Sequence, residues 1–302
     1  MNHAMPPDLA ALNTRFAIPG RLRFMDCGAG LPMADIHTPL ATARVALQGA
    51  QVLAWRPDGV APVLWLSGAA VFAPGKAVRG GIPVCWPWFG DRPGQGQHGF
   101  VRTRLWELRH TSLDVHGQVH LSLGLQDDVA TRALWDHAFD LELRVTVGTT
   151  LTLQLTTRNT GTQALTLTEA LHTYFSVGDI RQTTVHGLDG TRYLDKLQGF
   201  APSQQHGPVH FTGETDRVYT QTTADCVIDD ADQKRRITLA KTGSQATVVW
   251  NPWVDKEKTM ADMAPGGYQR MVCVETVNAA PHVITVAPGA QHSLGTTFSV
   301  AV

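Results

Sequence analysis

Short segments in which apolar and polar residues alternate recur along this chain and limit the folds open to it. They lie at 44–55, 62–68, 119–128, 141–148, 151–161 and 283–289. Turn-forming sequences separate them, such as Arg-Pro-Asp-Gly at 56–59 and Val-Gly-Thr-Thr at 147–150. A period of two residues is typical of strands with one buried face. The sequence therefore predicts an all-β sandwich or barrel and disfavours a parallel βαβ fold.

Helical patterns are few, and they are confined to Asp8–Arg15 and to residues 128–135. The chain has 302 residues, of which 43% are apolar, so it can bury a substantial core. No repeat of fixed period and no Ser/Pro/Gly linker divides it. We therefore expect one domain over residues 1–302, with residues 1–20 as an N-terminal extension.

Charge and cysteine usage narrow the class of protein further. The formal net charge is −1, whereas nucleic-acid-binding surfaces usually carry a clear basic excess, so we expect no nucleic-acid partner. No signal-peptide pattern and no apolar run of membrane-spanning length is visible, which predicts a cytoplasmic protein without a membrane anchor. Four widely spaced cysteines are expected to be reduced, buried thiols: Cys27, Cys85, Cys226 and Cys273.

One acidic residue, Glu275, lies in the otherwise apolar strand-like segment 271–278. Two-residue periodicity places Glu275 on the same face as Met271 and Cys273. Burial there would raise the pKa of the carboxyl group towards that of a general base. An ion pair with an arginine for structural reasons is an equally good explanation from this segment alone.

A candidate partner for Glu275 is His172, in the aromatic and β-branched segment 168–180. Histidine can donate or accept a proton near neutral pH. Taken by itself, a histidine in such a strand is more often a structural residue than a catalytic one. About a hundred residues separate the two, so spacing cannot show that they meet.

Four segments together resemble the hexose-6-phosphate mutarotases, also called glucose-6-phosphate 1-epimerases, of the aldose 1-epimerase superfamily. They are RGGIPVCWPWFG at 79–90, QHGFVRTRLWEL at 97–108, EALHTYFSVGDI at 169–180 and the long stretch VVWNPWVDKEKTMADMAPGGYQRMVCVETVN at 248–278. Each is weak evidence singly, but all four in this order form a specific signal. The resemblance implies a large antiparallel supersandwich of the galactose-mutarotase type.

The resemblance also implies a reaction and the residues that perform it. Glu275 would act as the base on the C1 hydroxyl of a sugar phosphate, and His172 as the acid at the ring oxygen, from opposite sides of the sugar. Ring opening, rotation and reclosure then interconvert the anomers, with no cofactor or metal required. The expected partner is a small-molecule sugar phosphate, and the expected state is a monomer.

Further site residues follow from the same resemblance. Arg79 and Arg102 are expected to bind the phosphate, since arginine presents a planar fork of donors. Gln97 and Asp195 are expected to contact sugar hydroxyls or to orient the histidine, and His98 to add a polar contact or to stabilise a turn. Four tryptophans are candidates for the sugar-binding wall, although we expect at least half to be core residues: Trp86, Trp88, Trp250 and Trp253.

Other chemistries fit the sequence less well. His116 and His120 have a metal-like interval, but no HExxH motif and no obvious third ligand accompany them. The glycines at 80 and 81 belong to no P-loop or dinucleotide-binding motif. Two alternatives to the hexose-6-phosphate mutarotase stay open, namely an epimerase for unphosphorylated aldoses and a non-catalytic sugar-binding protein on the same fold.

Overall fold

The computed structural model describes residues 8–279 and 281–302, which are folded mainly as antiparallel strands. In chain order the strands are β1 (Leu22–Asp26), β2 (Pro32–His37), β3 (Ala41–Ala46), β4 (Gln51–Pro57), β5 (Val84–Cys85), β6 (Asp91–Arg92), β7 (Gly96–Gln97), β8 (Glu107–Leu113), β9 (Val119–Gln126), β10 (Phe139–Val147), β11 (Leu151–Asn159), β12 (Leu165–Leu167), β13 (Glu169–Leu171), β14 (Tyr174–Ser176), β15 (Thr183–His186), β16 (Arg192–Asp195), β17 (Ala201–Gln204), β18 (Val209–His210), β19 (Thr215–Thr220), β20 (Cys226–Asp230), β21 (Arg235–Thr242), β22 (Ala246–Asn251), β23 (Met271–Asn278), β24 (Ile284–Val286) and β25 (Gln291–Ala301). The α-helices are α1 (Leu9–Phe16), α2 (Val129–Leu134) and α3 (Trp253–Glu257). Short 3-10 helices lie at Val101–Thr103, Ile180–Gln182, Lys196–Gln198 and Gly267–Arg270.

Two large sheets and one smaller sheet share a hydrophobic core. A nine-stranded sheet has the order β18-β15-β20-β21-β25-β11-β10-β9-β8. An eight-stranded sheet has the order β17-β16-β19-β22-β23-β13-β5, and β14 also pairs with β23. The first four strands form the smaller sheet. Phe175 of β14 packs edge-on against Phe298 of β25, with ring centroids 5.1 Å apart, so the two large sheets meet in the core. The predicted all-β sandwich is confirmed.

Alternation explains why these segments form strands. In β10 and β11 every second residue is buried, and the two strands pair from Phe139↔Asn159 to Val147↔Leu151 around the predicted turn at 147–150. Most of the buried residues are leucines and β-branched valines, which pack well on a pleated surface, and Phe139, Thr157 and Asn159 complete the set. Threonines on the exposed face bond across strands, as between the hydroxyls of Thr152 and Thr297 at 3.0 Å.

The strand β23 lies inside the eight-stranded sheet, and all of its residues are buried. Val272 and Val274 face the main core, whereas Met271 and Cys273 pack in a separate cluster on the other side of the sheet. Glu275 shares that second side, as the two-residue period predicts. The fold therefore holds this carboxylate on a rigid strand that is covered on both faces.

The predicted helices are confirmed, with slightly different ends. Asp8 caps α1 by accepting a hydrogen bond from the backbone N–H of Ala10, and Asp128 caps α2 by accepting one from Thr131. Asn13 of α1 exchanges two 2.8 Å hydrogen bonds with the backbone of Phe24. Of the predicted N-terminal extension, residues 1–7 lie outside the described residues, and α1 is fastened to β1 by these bonds.

Three of the strand predictions need correction. Segment 44–55 is a hairpin, because positive φ angles at Gly49 (75°) and Ala50 (49°) reverse the chain between β3 and β4. Segment 62–68 pairs only through single bridges at Leu64 and Leu66, since each faces a different neighbour. Segment 168–180 is divided into β13 and β14, because the backbone N–H of His172 donates to Pro83 instead of to β23.

All four cysteines are free thiols, and Cys85, Cys226 and Cys273 are buried as predicted. Cys27 is the exception, because it is only partly buried. No helix within residues 8–279 and 281–302 is both long and apolar enough to cross a membrane.

Candidate active site

His172 and Glu275 meet on one face of the eight-stranded sheet. Nδ1 of His172 lies 3.4 Å from Oε1 of Glu275, and their side chains are 12% and 1% exposed. Strand pairing explains the contact, because Leu171 pairs with Thr276 and Tyr174 pairs with Cys273, which brings His172 beside Glu275. The two groups are therefore neighbours on one wall, and the expectation that they face each other from opposite sides of a sugar is wrong.

Burial shifts both ionisation equilibria in the direction of the uncharged forms. It raises the pKa of Glu275 well above its usual range, and the negative charge of Asp216 adds to this. It lowers the pKa of His172 well below its usual range, and the positive charges of Arg79 and Arg102 act in the same direction. Nδ1 of His172 and Oε2 of Glu275 are buried and have no hydrogen-bond partner among the described residues, so each keeps an unused hydrogen-bonding site.

Aromatic packing fixes the imidazole ring. His172 stacks on Tyr174 with ring centroids 4.8 Å apart and an interplanar angle of 8°. The rings of Trp250 and His98 pack edge-on against the imidazole of His172, with ring centroids 6.1 and 5.6 Å away. The ring thus has little freedom to rotate, which preorganises it for proton transfer.

A cavity of about 580 Å³ opens above the pair. Its volume suits a small-molecule ligand. The lining combines apolar groups with acids, bases and imidazoles: Arg79, Phe89, Gly90, Asp91, Gln97, His98, His172, Lys196, Leu197, Phe200, Glu214, Asp216, Val218, Val248, Trp250, Lys256, Thr259, Met260, Glu275 and Ala279.

Arg79 reaches the cavity but is already engaged. Its Nε lies 3.2 Å from both carboxylate oxygens of Asp262, and its Nη1 donates to the Tyr174 hydroxyl at 2.9 Å. Because Tyr174 also stacks on His172, Arg79 is tied to the wall that carries the imidazole. A ligand anion at Arg79 would compete with Asp262.

The remaining predicted residues divide into two groups. Gln97 and His98 line the cavity, whereas Arg102 and Asp195 do not. Arg102 donates to the backbone oxygen of Gln97 at 2.8 Å, and Asp195 accepts from the backbone N–H of Leu197 at 3.0 Å. Burial and the charge of Arg102 lower the pKa of His98 to about 3, so His98 acts as a neutral hydrogen-bonding group.

An ion pair that the sequence reasoning missed lies on the same wall. Lys196 Nζ is 3.1 Å from Asp216 Oδ2, and burial raises the pKa of Asp216 above its usual value. Asp216 sits opposite Trp250 in the strand pairing, and Trp250 sits opposite Cys273, so the carboxylate faces the cavity. The sequence feature that could have identified Asp216 is an acidic residue within a strand-like segment, the same feature that identified Glu275.

Of the four candidate tryptophans, only Trp250 lines the cavity. Trp86 and Trp88 belong to the core, and Trp253 packs against it beside Tyr268. The expectation that at least half are core residues is confirmed.

Only one cluster of three potential metal ligands occurs in the part of the chain that the structure describes. It consists of His172, Cys273 and Glu275, whose ligand atoms lie within 4.8 Å of one another. His116 and His120 are not part of any such cluster, and His120 pairs instead with Asp114 at 3.0 Å.

Known proteins resemble this chain along most of its length. Residues 34–299 match the family model described as aldose 1-epimerase. A Salmonella typhimurium protein whose name proposes a glucose-6-phosphate 1-epimerase is 41% identical over 259 residues, which is 84% of this chain and 86% of the relative. An Escherichia coli K12 protein with the same proposed name is 39% identical, covering 83% of this chain and 84% of its own.

Solved structures show the same fold. A Salmonella typhimurium protein that its title proposes to be a mutarotase has a TM-score of 0.89 at 37% identity, with 95% of each chain covered. A galactose mutarotase related enzyme from Lactobacillus acidophilus has a TM-score of 0.72 at 12% identity, with 89% of this chain and 97% of the other covered. The family match over most of the chain and the relatives at about 40% identity show that this chain belongs to the aldose 1-epimerase family of sugar isomerases.

Proposed function

We propose that this chain is a hexose-6-phosphate mutarotase that interconverts the α and β anomers of glucose 6-phosphate-like sugars. The observation that carries the proposal is the contact between a buried carboxyl group and a buried imidazole at the floor of a sugar-sized cavity. The names of the relatives support the substrate class.

The position of the pair suits the two oxygen atoms that must exchange protons. The C1 hydroxyl oxygen and the ring oxygen are both bonded to C1, so one sugar edge presents both to the same wall. Glu275 takes the proton from the C1 hydroxyl while His172 gives a proton to the ring oxygen, which opens the ring to the aldehyde. After rotation about C1–C2, each group reverses its role and the ring closes on the other face.

The pair itself holds the single proton that this cycle needs. A carboxylate beside an imidazolium and a carboxylic acid beside a neutral imidazole contain the same number of protons. Ring opening converts the first form into the second, and reclosure converts it back, so no proton exchange with solvent is required. Burial disfavours net charge on the pair, so the pair retains this single proton over a wide pH range. The two groups therefore titrate as a coupled unit.

Cations at the cavity provide the means to bind a phosphate. Arg79 and Lys196 line it within ion pairs, whereas Lys256 lines it and has no ion-pair partner in residues 8–279 and 281–302. We assign the phosphate to Arg79 and Lys256, with Arg102 behind the lining. His98 and Gln97 are assigned to the sugar hydroxyls, and Asp216 takes the role that sequence reasoning gave to Asp195.

One observation favours a second candidate, an epimerase acting on unphosphorylated aldoses. The donors of Arg79 are occupied by Asp262 and Tyr174, and lining acids are as prominent as lining bases. A neutral sugar would need no anion site. A cavity that only bound sugar would not alter the rate of anomer exchange at all.

Anomer equilibration distinguishes these functions. The rate is followed by NMR from pure α anomers of glucose 6-phosphate, galactose 6-phosphate, glucose and galactose. We expect acceleration for the phosphorylated sugars. Acceleration confined to the free sugars would transfer the assignment to an ordinary aldose 1-epimerase, and no acceleration of any sugar would leave a binding protein.

A further inference from the structure

Beside His172 and Glu275, which line the cavity, lies a buried thiol, Cys273, that the proton-transfer cycle does not use. Cys273 and Glu275 are two residues apart on β23, so their side chains leave the same face of the sheet. His172 comes from the adjoining chain segment, where Tyr174 pairs with Cys273. Neighbouring strands thus bring together a sulfur, an oxygen and a nitrogen donor.

The state of these donors favours a metal ion. The thiol is free, and Nδ1 of His172 and Oε2 of Glu275 are buried without a protein hydrogen-bond partner in the described residues. A neutral imidazole is the form that coordinates metals, and a thiolate with a carboxylate balances two positive charges. Mixed nitrogen, sulfur and oxygen donors suit zinc, whereas magnesium prefers oxygen donors.

The distances require only a small adjustment. The ligand atoms lie within 4.8 Å of one another; an equilateral triangle at that upper limit has a centre about 2.8 Å from each corner, and zinc ligands lie at about 2.0–2.3 Å. A shift of about half an ångström per side chain therefore completes the coordination, and side-chain rotation supplies it. His172 and Glu275 also line the cavity, so the ion has a route of entry and a fourth position facing the ligand space.

We propose that His172, Cys273 and Glu275 form an inhibitory zinc site at the floor of the active-site cavity. Binding releases the thiol proton, and any proton on the carboxyl group, to solvent. The ion then occupies the acid and the base that we assign to anomer exchange, so zinc and turnover exclude each other. The inhibition part of this inference rests on the proposed function, whereas the binding part does not.

Binding is tested first, by a measurement independent of activity. Cobalt(II) is titrated into the full chain as a spectroscopic substitute for zinc, and near-ultraviolet absorption from a cobalt–thiolate bond is recorded. We expect this band in the wild type and in Cys226→Ser, which alters a buried thiol of the other large sheet. We expect its loss in Cys273→Ser and Cys273→Ala. Zinc should raise the melting temperature only in the proteins that show the band.

Inhibition is tested on the same proteins with glucose 6-phosphate. Zinc should inhibit the wild type and Cys226→Ser equally, and the Cys273 variants should need at least about tenfold more zinc, since loss of a ligand costs at least as much affinity as loss of an outer contact. Magnesium should not inhibit any of them. Equal zinc sensitivity with and without Cys273, or a cobalt band that survives its replacement, would overturn the site. Absence of turnover in every protein would refute the proposed function but leave the cobalt result to decide the metal site.

Discussion

Replacing Glu275 by glutamine tests the proposed proton transfer most directly. The amide has the size of the carboxyl group but cannot accept the proton of the C1 hydroxyl. General-base catalysis contributes about 10²–10⁴-fold to a rate, or about 3–5.5 kcal/mol in the activation free energy. Because the side chain is only 1% exposed, solvent water cannot replace the base. We therefore expect a loss in the upper part of that range, about 10³–10⁴-fold in kcat.

The assay is anomer exchange of glucose 6-phosphate, measured at equilibrium by NMR line shape or saturation transfer. KM should change little, since the amide still hydrogen-bonds a sugar hydroxyl. Circular dichroism should show the same strand content and a melting temperature at least as high as that of the wild type, because the variant buries no ionisable carboxyl group at this position.

Glu169→Gln is the matched control for this experiment. Glu169 is the other fully buried glutamate of the same sheet, but it contacts His292 at 3.0 Å and Asn278 at 3.1 Å and does not line the cavity. Its replacement should leave kcat close to the wild-type value. Wild-type turnover in Glu275→Gln, or an equal loss in both variants, would refute the assignment of Glu275 as the base.

Three further predictions concern the same cavity and its surroundings. His172→Asn should lower kcat about 10²–10⁴-fold in the same NMR assay. The double variant with Glu275→Gln should be scarcely slower than either single variant, because the two groups act as one unit. Additive losses in the activation free energy would contradict this. The folded-state pKa of Glu275 is raised above its ordinary value of 4.5, so the stability that it contributes is complete below that pH and is lost as pH rises; thermal melts should show Glu275→Gln gaining on the wild type from pH 5 upward, and a constant difference would argue against the shift. Asp262→Asn should lower KM for glucose 6-phosphate about twofold to fivefold, because it removes the partly exposed carboxylate that competes for Arg79. Lys256→Ala should raise this KM, and free glucose is the control substrate. Unchanged KM in both variants would contradict the placement of the phosphate at this end of the cavity.

Local pattern accounts for much of the fold. Alternation located β10 and β11 to within a residue or two and placed Glu275 on the face that proves to carry the cavity. It failed at 44–55 because a turn at Gly49 and Ala50 is hidden in a run of the right period. A hairpin of this kind depends on two successive positive φ angles. Alanine rarely adopts a positive φ, so its presence does not indicate such a turn.

The candidate site depends on contacts that no local pattern contains. The meeting of His172 and Glu275 requires β13 and β14 to pair with β23, which joins residues about a hundred positions apart. Asp195, which the resemblance suggested, accepts a hydrogen bond from the backbone N–H of Leu197 and does not line the cavity, whereas Asp216 in the neighbouring strand does. Asp216 lies in β19, outside the four segments of the resemblance, so only strand pairing reveals that this acid faces the cavity.

The interior position of β23 separates two properties of the catalyst. Its carboxyl group belongs to the rigid frame, whereas Lys256 and Asp262 lie in and after α3, on the connection between β22 and β23. In the proposed function, the proton-transfer pair thus belongs to the sheet, whereas Lys256, one of the two assigned phosphate ligands, belongs to this connection. Exchanging residues 252–266 for those of a relative should therefore alter the affinity for the phosphate and leave the chemical step intact, while Arg79, Gln97 and His98 stay in place.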